Sequence, residues 1–142
     1  MNTRKTFVMM SFLGLVVLGL ATFAWAGNTQ LSLMADKNEP GASGAVTLSD
    51  KSLSIQAKGL HPNAVYTVWF VNMNPKKSEA GAGQAPFMFK TDAQGNGAYS
   101  SSLNEAPFGK WQMIMIMLHP DGDPMNMKGM VGALSANIPK KG

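Results

Sequence analysis

A chain of 142 residues, 45% apolar and 14% charged, holds the material of one ordinary domain and is too short for a multidomain enzyme. It has no cysteine, so neither disulfides nor thiolate metal ligands are available and cohesion must come from packing and backbone pairing. The formal charge of +4 includes Arg4 and Lys5; without them ten lysines face eight acids, and a net +2 is too weak a field to capture nucleic acid.

Arg4 and Lys5 precede an apolar run over residues 7–20, and Ala24-Trp25-Ala26 puts small residues at the two positions that a signal peptidase reads. This pattern predicts an export signal over residues 1–26, cleavage before Gly27, and a mature domain over residues 27–142. That domain is expected in the periplasm or outside the cell, with no membrane span in the mature form. The rival is an uncleaved anchor, since residues 7–26 are about as many as a spanning helix needs. Ser11, Gly14, Gly19 and Thr22 interrupt the run, and the cleavage site favours removal.

Beyond residue 26, short runs of period-two alternation recur between clusters of Gly, Pro, Asn, Asp and Ser, and helical spacing is not sustained. Leu31 and Leu33 mark a first strand and Val46 and Leu48 a second. Leu53, Ile55 and Ala57 alternate with polar residues in a third. Residues 65–71, VYTVWFV, are apolar at nearly every position, as a central strand covered on both sides would be. Residues 72–86 read as a long exposed connection. Residues 87–90 and 98–103 flank a turn over residues 91–97 and are expected to pair as a hairpin. A long strand over residues 110–118, a loop over 119–129 and a closing strand over 130–138 complete the chain. The expected fold class is all-β: a single small antiparallel β-sandwich, Ig-like or Greek key, of about seven to eight strands, with a small barrel as the alternative.

Tyr66-Thr67-Val68-Trp69-Phe70-Val71, Phe89 with residues 92–97, His119-Pro120-Asp121-Gly122-Asp123-Pro124 and Val131-Gly132-Ala133-Leu134 together resemble the extracytoplasmic domain of anti-sigma-factor K-type proteins. The similarity spans roughly residues 53–134 through short motifs, and implies a β-sandwich and a non-catalytic interaction role. Sigma-factor control is not implied, because that family carries a cytoplasmic sigma-binding domain and here only residues 1–6 would remain on the cytoplasmic side. A second similarity, in Gly59-Leu60 with Pro62 and in the closing strand, is to chordin-type domains, which share a superoxide-dismutase-like sandwich. The histidine-rich copper-zinc pattern of the dismutases is missing.

The composition is most skewed in methionine: Met113, Met115, Met117, Met125, Met127 and Met130 accompany His119, Asp121 and Asp123. Thioether sulfur is a soft ligand, and Met with one His suits Cu(I), whereas zinc is poorly served. Same-parity residues of a strand share a face, so Trp111, Met113, Met115, Met117 and His119 are expected on one side and Ile114, Ile116 and Leu118 on the other. Met113 and Met115 are read as core. The candidate metal site is His119, Met117, Met125, Met127 and Met130. Against it stand methionine as core filler and methionine as an adaptable surface for a protein partner.

No other motif carries chemistry. His61 and His119 each precede proline and lack a neighbouring nucleophile and carboxylate, which leaves no catalytic residue to name. Residues 92–97 resemble the start of a calcium loop, but its twelfth position is Leu103 rather than Glu, and turn chemistry explains each residue. The leading expectation is an exported, non-catalytic binding or interaction module of the cell envelope or extracellular space, with an envelope or extracellular protein as partner. The first alternative is a periplasmic copper-binding protein. The second is a small dismutase-like or hydrolytic enzyme, against which the missing nucleophile constellation counts.

Overall fold

The computed structural model describes residues 27–142; the predicted export segment lies outside the described residues. Nine strands form: β1 (Thr29–Ala35), β2 (Ser43–Leu48), β3 (Ser52–Lys58), β4 (Val65–Asn72), β5 (Ser78–Gly81), β6 (Met88–Lys90), β7 (Gly97–Ser102), β8 (Met113–His119) and β9 (Val131–Asn137). All pairings are antiparallel, in the order β5-β4-β8-β9-β1-β2-β3-β7, with β6 also on β4. Among the described residues no helix is long and apolar enough to cross a membrane.

Strand β1 makes this one curled sheet. Its Thr29 to Leu33 stretch pairs with β2, and its last residues, Met34 and Ala35, pair with β9. The strand thereby joins a wing of β1, β2, β3 and β7 to a wing of β9, β8, β4, β5 and β6. Both wings contribute to one core: Val46, Leu48, Leu53 and Ile55 from the first, Tyr66, Val68, Phe70, Ile114, Ile116 and Leu134 from the second. Ile114 and Ile116 are fully buried, and each such side chain contributes about 1.5–3 kcal/mol. The all-β, sandwich-like reading of the alternation holds, with nine strands in place of seven or eight.

Four local expectations are corrected. The segment 72–86 is not wholly a loop, because Ser78–Gly81 adds a strand to β4 and Ala82 is fully buried. Residues 87–90 and 98–103 do not form a hairpin. The turn itself is present, with Asp92 N–H on the Asn96 carbonyl at 2.9 Å, but β6 pairs with β4 and β7 with β3. Turn chemistry bends the chain without deciding which strand each arm joins, so this turn bridges the wings. Gly95 sits in it at φ 81°, and a Cβ there would overlap the Leu60 carbonyl. Trp111 precedes β8 and stacks on Phe70 at 6.0 Å, packed against the core rather than on the methionine face. Met113 and Met115 lie outside the core cluster, half-buried on the outer face of β8.

Among the described residues one ionisable pair is buried. The Tyr66 hydroxyl donates to both Glu39 carboxylate oxygens, at 2.9 and 3.0 Å, and accepts the His61 backbone N–H at 3.0 Å. Burial above all, against a smaller opposing pull from the His61 N–H and reinforced by the Glu39 carboxylate, holds this hydroxyl protonated far above the ordinary tyrosine range.

Candidate functional site

The register of β4 against β8 sets Val71 opposite Met113, Trp69 opposite Met115, Thr67 opposite Met117 and Val65 opposite His119. Opposed residues project to the same face, and since Ile114 and Ile116 fill the core, the methionines lie on the outer face. On the far side of β8, Met117 faces Gly132 and Met115 faces Ser135, residues too small to cover a thioether. The pairing shifts register between Ile116 and Met117, leaving Ala133 as the extra residue just where β9 leads back to Met130.

These side chains surround a cavity of about 140 Å³ lined by Met115, Met117, Met130 and Met73 together with Trp69 and Val71. Lys77 and Glu79 complete its lining and balance each other in charge, so any selectivity must come from the thioethers and the indole. An aromatic face attracts a cation, and a thioether gives one a soft lone pair.

Thr67 organises the floor. Its Oγ1 lies 2.7 Å from His119 Nε2, 2.8 Å from Trp69 Nε1 and 4.0 Å from Met130 Sδ. The indole N–H can only donate. His119 is buried and its Nδ1 has no partner, so the proton arrangement follows from the donors. If His119 Nε2–H and Trp69 Nε1–H both donate to Thr67, the hydroxyl proton is free to point at Met130 sulfur, and every donor is satisfied. The other tautomer would leave a buried Nδ1–H unmatched, the costlier orphan. The geometry thus assigns the Nε2–H tautomer and aims the hydroxyl at Met130.

The predicted metal set is therefore divided. Met117 and Met130 line the cavity. Met125 and Met127 stand exposed on the loop between β8 and β9, and His119 lies beneath with its Nε2 engaged by Thr67. Met115, Met73, Trp69 and Thr67 were not in that set. Thr67 was visible in principle, as the polar residue within the apolar run VYTVWFV, where a buried hydroxyl needs a partner.

A hydroxyl beside an imidazole is also the geometry of an activated nucleophile. Here no carboxylate orients Nδ1, and Thr67 is 1% exposed, covered from any substrate. His61 is exposed and contributes its backbone N–H to Tyr66. A larger open groove of about 1000 Å³ runs along Ser43 to Ala45, Gln56 to Lys58 and Asn96 to Ala98, away from the methionines. Small residues and the exposed polar side chains of Lys58, Asn63, Lys90 and Asp92 line it, and it holds no buried unpaired side-chain group. Among the described residues no group of three or more His, Asp or Glu side chains is placed to hold a metal.

The loop after β8 is pinned by its own side chains. Asp121 accepts the Asp123 N–H at 2.9 Å and the Asn126 amide at 2.6 Å, and these bonds, the first most, hold its carboxyl below the ordinary carboxylate range. A depressed value means the pinning is complete above the ordinary range and is lost as pH falls through the lowered one. In an NMR titration the Asp123 amide and Asn126 side-chain protons should hold their shifts until the solution is more acid than an ordinary aspartate requires. Titration of both at the ordinary aspartate value would contradict the pinning.

The fold and site define an all-β domain with a sulfur-lined cavity on one outer sheet face. No protein-family model, curated protein or solved structure matches the chain.

Proposed function

We propose that this chain is an exported, non-catalytic binding module whose ligand is a soft monovalent cation, Cu(I) first. The observation that carries this reading is the convergence of Met115, Met117, Met130 and Met73 with Trp69 on one small cavity. Soft thioethers favour Cu(I) over zinc, calcium or magnesium, which take nitrogen, thiolate or oxygen ligands. A protein-docking surface is less well supported. Among the described residues the large apolar side chains left exposed are Met34, Met73, Met125 and Met127; interfaces do use methionine, but no aromatic stands among these four to anchor a partner. Thioethers also carry no proton to lose, so binding should persist in mild acid, where a site relying on imidazole weakens below about pH 6.

The test is a Cu(I) titration of residues 27–142 against a chromophoric chelator, with Ag(I) as a redox-inert check. One equivalent is expected to bind. Met115→Leu/Met117→Leu/Met130→Leu, which conserves volume, should keep the circular dichroism spectrum and lose at least about a hundredfold in affinity, roughly 2.7 kcal/mol. Unchanged affinity in that variant overturns the proposal.

A further inference from the structure

Strand β8 ends at His119 and β9 begins at Val131, and the loop between them holds Met125 and Met127 in solvent, 72% and 46% exposed. The loop is built, not slack. Asp121 oxygen takes the Asp123 N–H, Asp123 oxygen takes the Met125 N–H and Asn126 oxygen takes the Lys128 N–H, a succession of turns closed by side chains. The Met125 backbone is thus committed to the loop while its thioether stands outward. Only two residues, Lys128 and Gly129, separate Met127 from Met130, which limits their Cα atoms to about 10 Å apart. Met130 in turn lines the cavity. The thioethers therefore form a series of falling exposure, from Met125 through Met127 to the half-buried Met130 and Met117.

Resting on the Cu(I) pocket proposed above, we infer that this loop is the arm by which the metal enters and leaves. Met125 and Met127 take Cu(I) from a donor and pass it to Met130 by ligand exchange. One copper–sulfur bond forms before the previous one breaks, copper stays in the +1 state, and no proton moves because a thioether has none. Asp121 and Asp123 on the same loop offer a cation negative charge on its way in. The partner this arm fits is a Cu(I) carrier that itself presents soft ligands.

The experiment is stopped-flow transfer of Cu(I) from its bicinchoninate complex to the wild-type domain and to Met125→Leu/Met127→Leu, with the equilibrium partition measured on the same samples. Both positions are exposed, so the fold should be untouched. The expected result is transfer slowed about tenfold, equivalent to about 1.4 kcal/mol in the barrier, with the partition unchanged within about twofold. An unchanged rate overturns the inference. A partition that falls in step with the rate overturns it as well, because the loop methionines would then be resident ligands. Failure of the wild-type domain to take Cu(I) defeats the pocket itself, and is told apart from failure of the arm by the wild-type partition alone.

Discussion

Replacing Thr67 by valine is expected to lower the melting temperature by on the order of 10 °C and weaken Cu(I) or Ag(I) binding about 10–100-fold. Valine matches threonine in shape, so the loss is one of hydrogen bonds. Without Oγ1 the buried His119 has neither ring nitrogen paired, and the Trp69 indole N–H loses its acceptor. Each of these two orphaned groups costs about 1–3 kcal/mol, which places the sum at roughly 2–6 kcal/mol. Met130 also loses the hydroxyl that fixes its sulfur toward the cavity. Thr67→Ser keeps the hydroxyl and should restore metal affinity. Nitrogen NMR of the His119 ring should show Nε2–H in the wild type. Wild-type stability and affinity in Thr67→Val would show that the hydroxyl is idle.

Tyr66→Phe is expected to destabilise the domain by about 3 kcal/mol or more, because it leaves the Glu39 carboxylate buried with no donor. The ring, stacked on Phe89 at 5.5 Å, stays in place, so packing is unchanged and the loss belongs to the hydroxyl. Tyr66→Phe/Glu39→Met should recover part of the stability, since the carboxylate and the hydroxyl are then both gone and only the part-buried His61 N–H is left without its acceptor. Denaturant unfolding of the four members of this cycle gives the coupling directly. Additive single losses would mean that Glu39 is solvated and the pair contributes nothing.

Much of this architecture was legible in the chain. Leu53, Ile55 and Ala57 alternate with polar neighbours and are buried, and residues 65–71 form a strand covered on nearly every side, as their apolar density requires. Ile114 and Ile116 turn inward and Met113, Met115 and Met117 outward, as period two dictates. The role of those methionines was not legible. Hydrophobicity assigns a thioether to the core as readily as an isoleucine, and only the partner strands show that these methionines stay half-covered on the outer face. Gly132 and Ser135 lie opposite Met117 and Met115, yet they are remote from both in sequence.

The candidate site divides along the same line. That soft ligands cluster near residue 120 is a matter of composition, and the sequence by itself determined it, along with the all-β class and the turn at residues 91–97. Which sulfurs share a cavity, and that His119 pairs with Thr67 instead of joining them, was decided by the tertiary structure. Alternation and turn chemistry act between near neighbours and are written locally. Register and strand order follow from which distant segments bury each other best, and that choice belongs to the folded chain as a whole.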